Sequence, residues 1–234
     1  MAKTRVKLPS KITKDSWFYE ENEEICKPHL GKFYISYSTV SSWSKYREDL
    51  IKQKFVGIKI DAGVYADFGS YVGEAIENNK FDEDNPQGFT GQENIGLVQR
   101  PAGAEYEKMI LIDMGEYVIV GFIDVYSESE KGSIVCDIKT GGARKEKEYQ
   151  KEDYIQVILY AHAIEQLGKK IVDTYVWFIR RTGSHIKPPL HISEEQFKIP
   201  LEYTPERVSY ALGMVDDVVK EISTQYKVYL KYLA

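Results

Sequence analysis

The sequence predicts an α/β (α+β) fold in which a central mixed sheet, holding a three-strand antiparallel meander, is flanked by helices. Three observations carry this. Apolar residues recur at helical spacing before residue 80 and after residue 150. Three β-rich runs joined by short turns fill residues 105–140. A further helix and strand follow directly. The chain has 234 residues, 43% of them hydrophobic, enough for one large domain with its own core. No internal repeat or long linker divides it, so the expected organisation is an N-terminal arm over residues 1–33 and a single domain over 34–234.

Residues 1–33 are mixed and charged, with breaks at Pro9, Pro28 and Gly31. A helix then starts near Ser38, its expected N-cap, with Val40, Trp43 and Tyr46 or Arg47 at helical spacing. A second helix spans about 64–79, with Tyr65, Phe68, Val72 and Ile76 on one face. Residues 80–96 read as a loop. Strands follow at 105–112, 117–126 and 133–140, joined by Asp113-Met-Gly-Glu and by Ser127–Gly132, and closed by Gly141-Gly142. The charged segment Ala143–Lys151 leads to a helix at about 152–167, whose apolar stripe is Tyr154, Val157, Ile158, Ala161 and Ile164. Val172–Arg181 is another strand, residues 184–201 hold a short strand or two, and the last helix runs from Pro205 to about Tyr232, capped by Thr204.

Composition narrows the function. The net charge of -5 argues against a general DNA-coating role, although a basic groove can sit on an acidic body. Cys26 and Cys136 are too few for a four-cysteine zinc or iron–sulfur site. The start lacks an apolar signal region and no apolar run approaches membrane-spanning length, so the expected location is the cytoplasm.

The informative residues are Asp124, at the end of Gly121-Phe-Ile-Asp, and Asp137 and Lys139 in Ile134-Val-Cys-Asp-Ile-Lys. Alternation along a strand sends Asp137 and Lys139 to one face and Ile138 to the other. Charges inside an apolar strand are costly unless something satisfies them. The turn at 127–132 should bring Asp124 beside Asp137. Two converging carboxylates suit a hard divalent cation such as Mg2+, or Mn2+, with the Ile138 carbonyl as a further oxygen ligand. Such an ion can polarise a phosphate, and Lys139 can stabilise developing negative charge. Crowding of the two carboxylates also predicts that Asp137→Ala leaves metal-free stability level or raised. An Asp-x-Lys triplet occurs roughly once by chance in a chain this long, so the context decides: a following helix carries Gln156 and Tyr160 four apart, on one face.

These motifs, Gly121-Phe-Ile-Asp124, Asp137-Ile-Lys139-Thr and Gln156-Val-Ile-Leu-Tyr160, resemble those of RecB-like exonuclease domains in the PD-(D/E)XK nuclease superfamily. Ile35–Trp43 is similar to the family's opening helix and Phe68–Glu77 to its first-motif helix, so the resemblance spans about residues 34–165. It implies a restriction-endonuclease-like core and a metal-dependent DNA nuclease, an exonuclease, serving recombination, repair or phage DNA processing. It also implies DNA and a recombination or single-strand annealing protein as partners. By the same resemblance Asp124 and Asp137 bind metal, Lys139 is catalytic, and Gln156 and Tyr160 flank the site. Two departures stand out. Gly73 occupies a position where relatives carry His, which passes metal ligation to Glu77 or to Glu74. The cysteines that hold an iron–sulfur cluster in some relatives are missing, so no cluster is expected. Arg144, Lys145 and Lys147 are candidate phosphate contacts, or a solvated loop interleaved with Glu146 and Glu148. The rival readings are a non-catalytic nucleic-acid-binding protein with a decayed nuclease fold, and an endonuclease of the same superfamily.

Overall fold

The structure, a computed structural model, describes residues 10–79, 88–184 and 189–233. The first nine residues, part of the 80–96 loop and the start of the 184–201 segment lie outside the described residues. In chain order the elements are β1 (Ser10–Lys11), α1 (Glu23–Cys26), β2 (Phe33–Ser36), α2 (Tyr37–Ile51), α3 (Val64–Asn78), β3 (Glu105–Asp113) and β4 (Tyr117–Ser129). There follow β5 (Gly132–Gly141), α4 (Ala143–Tyr149), α5 (Gln156–Gln166), β6 (Ile171–Thr182), β7 (His191–Pro200) and α6 (Pro205–Leu233). The hydrogen-bonded strand order is β1-β2-β4-β5-β6-β7, with β3 paired to β4. The β2–β4 and β5–β6 pairs are parallel and the others along that path are antiparallel, which makes the sheet mixed as expected.

The chain divides into two compact units: Met1–Asp61 with Met109–Phe122 and Val208–Ala234, and Ala62–Lys108 with Ile123–Arg207. In the first, Ile12, Phe18, Tyr19 and Cys26 join Tyr34, Met109, Val118 and Val120 in one buried cluster. Residues 10–33, expected as an arm, therefore supply core residues to this unit. Their apolar residues follow neither a helical nor a strand period, so the sequence carries no pattern to reveal it. β2 runs straight into α2, and Ser36, two residues before the expected cap, accepts the Thr39 N–H at 3.4 Å.

In the second unit α3 buries Phe68, Val72, Ala75 and Ile76 against Val125, Cys136, Tyr175, Trp177 and Ile179. The strand parity sends Asp137 and Lys139 to the opposite face, where α5 packs on β5 and β6. α4 was not expected. Its seven residues have no apolar stripe, and tertiary contacts hold it instead. Arg180 on β6 pairs with Glu146 at 3.0 Å. Gly141 lets the helix double back closely, since a Cβ there would lie 2.7 Å from Lys145 Cβ. α5 begins at Gln156 rather than 152, which leaves Tyr154 in the connection before it.

Candidate active site

β4 and β5 pair from Ser129↔Gly132 to Val125↔Cys136. One residue further on, the Asp124 carboxylate itself takes the Ile138 N–H, at 2.6 Å. A side chain thus stands where a ladder carbonyl would, and Asp124 is tied to the backbone between Asp137 and Lys139. Asp137 is fully buried, Asp124 is partly buried, and the Lys139 side chain keeps 26% of its surface exposed. Solvent therefore reaches the cluster by way of Asp124 and Lys139, and Asp137 forms its floor.

Three donors converge on Asp137. Lys139 Nζ lies 2.5 Å from Oδ2, the Tyr154 hydroxyl donates to Oδ2 at 2.7 Å, and Gln156 Nε2 donates to Oδ1 at 2.8 Å. Gln156 Nε2 also reaches the hydroxyl of buried Tyr160 at 3.3 Å. Burial and the Asp137 charge push the Asp124 carboxyl well above the usual carboxylate range, against the pull of Lys139 and the Ile138 N–H; Glu107 adds to the push. Burial would lower the Lys139 ammonium, but Asp137 and Asp124 outweigh it and hold the amine well above its ordinary value. Burial and the same carboxylates push the Tyr160 phenol up, so it stays protonated.

The donor set is therefore two carboxylates against one ammonium, in surroundings that penalise the surplus negative charge. A proton on Asp124 or a bound cation removes that charge. Among the described residues no third His, Cys, Asp or Glu joins the pair in a metal-holding group. Mg2+ fits such a set, because it takes hard oxygens, keeps several waters and is commonly held by one or two carboxylates plus substrate phosphate.

The structure brings together Asp124, Asp137, Ile138, Lys139, Gln156 and Tyr160. It does not bring in Glu77. That residue and Glu74 are exposed on the last turns of α3, the helix on the Cys136 and Ile138 face of β5, so strand alternation puts them across the sheet from Asp137. Arg144, Lys145 and Lys147 are exposed on α4, and Lys145 bonds Glu148 at 2.8 Å. The contacts to Asp137 argue against the expectation that Asp137→Ala spares metal-free stability, since its removal would strand three donors in a buried place. Two residues escaped the sequence reading. The helical period puts Tyr154 on the apolar stripe, and only its hydroxyl, which Phe would lack, hints at more. Glu107 on β3 lies near enough to raise Asp124 and holds a left-handed φ of 49°, for which the sequence has no signal.

The family model of the PD-(D/E)XK nuclease superfamily matches residues 78–227. No curated protein matches the chain. Among solved structures, a protein of Eubacterium rectale that carries the provisional name of an exonuclease superposes with a TM-score of 0.56. The two are 16% identical over 93% of this chain and 87% of the other, a likeness of fold. The protein SSO0001 overlaps at a TM-score of 0.44 and 17% identity, over 87% of this chain and 84% of its own, and adds nothing to the assignment.

Proposed function

Since this chain belongs to the PD-(D/E)XK nuclease superfamily, we propose that it is a Mg2+-dependent deoxyribonuclease that hydrolyses phosphodiester bonds from DNA ends. Mn2+ is the expected substitute ion. The single observation that carries this reading is the buried Asp137 carrying Lys139 at 2.5 Å, with Asp124 bonded to the Ile138 N–H between them. Asp124, Asp137 and the Ile138 carbonyl would hold the ion, which when bound polarises the phosphate and acidifies water. Lys139 stays charged and faces the open side of the cluster, where it can donate to the attacking water or to the phosphoryl oxygen as charge develops. Gln156 anchors Asp137 from α5, and Tyr160 backs Gln156. Arg144, Lys145 and Lys147, exposed on α4, are candidate phosphate contacts.

Action from ends, a role in recombination, repair or phage DNA processing, and a recombination or single-strand annealing partner are supported by the RecB-like motifs. The intracellular setting is part of the same reading. Among the described residues no helix is long and apolar enough to cross a membrane. The test is digestion of end-labelled linear duplex beside covalently closed circles, with Mg2+, with Mn2+ and with chelator. The expected result is loss of linear DNA alone, and only with metal. Cleavage of circles would move the assignment to an endonuclease, and binding without cleavage to a decayed nuclease fold.

A further inference from the structure

Tyr154 is placed to do more than fill space. Asp137 is fully buried, so no solvent molecule stands ready to replace a donor it loses. Its oxygens are held from two sides, by Gln156 at Oδ1 and by Tyr154 and Lys139 at Oδ2. Of these, Lys139 is the group the reaction draws on. Gln156 and Tyr154 remain to fix the rotation of the carboxylate. The Tyr154 hydroxyl has one proton and two acceptors in reach, Asp137 at 2.7 Å and Gln156 Oε1 at 3.1 Å. The shorter, charge-assisted contact to Asp137 takes it.

The segment behind this hydroxyl is itself braced. The Tyr154 ring meets Tyr149 edge-on, with centroids 5.0 Å apart and planes at 83°. Its N–H donates to the Lys151 carbonyl at 3.1 Å. The Arg207 guanidinium donates to the carbonyls of Glu152, Tyr154 and Glu202 at 3.4, 3.4 and 3.0 Å, which ties the connection between α4 and α5 to the start of α6. A phenol held this firmly sets the direction of the carboxylate it donates to.

We propose that Tyr154 is a positioning residue that orients the Asp137 carboxylate for a divalent cation. This rests on the metal-dependent reading given above. Groups that hydrogen-bond a ligating carboxylate commonly contribute about 10–100-fold to metal affinity. The experiment measures Mn2+ binding by calorimetry for the parent chain, Tyr154→Phe, Asp137→Asn and Tyr203→Phe. Phe keeps the ring against Tyr149 and removes only the hydroxyl. Tyr203, whose hydroxyl donates to Glu165, controls for loss of a phenol elsewhere. Tyr154→Phe should weaken Mn2+ binding about tenfold and raise half-saturating Mg2+ for cleavage by the same factor. Its rate at saturating metal should stay within about threefold of the parent. Its melting in chelator, recorded in parallel, establishes that the binding is read on folded protein. Affinity within about twofold of the parent, or a fall in rate with metal affinity unchanged, overturns the proposal and leaves the metal-dependent reading standing. If the parent takes up no Mn2+, or Asp137→Asn binds it equally well, the metal-site reading falls and this proposal with it.

Discussion

Replacement of Lys139 by alanine separates catalysis from binding more sharply than any other change at the site. Lys139 Nζ sits 2.5 Å from Asp137 Oδ2, and both aspartates hold it charged. Loss of a group that meets charge developing during reaction costs on the order of a hundredfold or more in rate, equivalent to about 2.7 kcal/mol of barrier. Loss of one phosphate contact only reduces the salt dependence of DNA binding by about one counterion. A nuclease should therefore lose almost all cleavage and keep most of its affinity. The same change leaves two carboxylates, one fully and one partly buried, without a cation. Breaking a buried ion pair costs about 3–5 kcal/mol. The 26% exposure of Lys139 discounts this to roughly 2–3 kcal/mol, or on the order of 4–12 °C in Tm for a chain this size. Added Mg2+ should recover part of that loss, because it supplies the missing positive charge. Arginine should not restore the rate, since its planar fork is larger and aimed differently. The assay is single-turnover cleavage and equilibrium binding on one linear duplex across a salt series, with melting in chelator and in Mg2+. Equal losses of rate and affinity, or an undiminished rate, would refute the catalytic role of Lys139.

Asp137→Ala should abolish cleavage and lower Tm in chelator by several degrees, since it strands the donors of Lys139, Tyr154 and Gln156; an unchanged or raised Tm would contradict the hydrogen bonding described here. Asp124→Asn should raise metal-free stability at neutral pH. The folded carboxyl is raised above its unfolded value, so the folded state holds the extra proton and the parent loses stability as pH climbs from about 4 through the folded value. The gain should shrink below about pH 4, and a pH-independent difference in melting would speak against it. Gly141→Ala should destabilise by roughly 1–3 kcal/mol, because the new Cβ meets Lys145 Cβ at 2.7 Å and must displace α4; chemical denaturation reads this directly, and a neutral result would mean that α4 does not pack so closely.

The sequence alone determined the order of the main helices and strands from α2 onward, α4 apart, and the face on which each residue of β5 lies. Alternation in Ile134-Val-Cys-Asp-Ile-Lys is a local property of a strand, so it placed Asp137 and Lys139 on one face and Cys136 and Ile138 on the other. The Gln156–Tyr160 spacing likewise fixed one helical face. What depended on distant partners was not legible. Apolar residues between 10 and 33 have no period, and only packing with Met109, Val118 and Val120 makes them core. α4 lacks an amphipathic stripe and exists through the close approach at Gly141 and the Arg180–Glu146 pair. Glu77 had the right residue type for a ligand, but the sheet lies between its helix and Asp137. Tyr154 had the right position for a core residue, yet its hydroxyl ends on Asp137. Local periodicity tells which way a side chain leaves its own element. Which groups it then meets is set by how the elements are stacked, and that is a property of the tertiary structure.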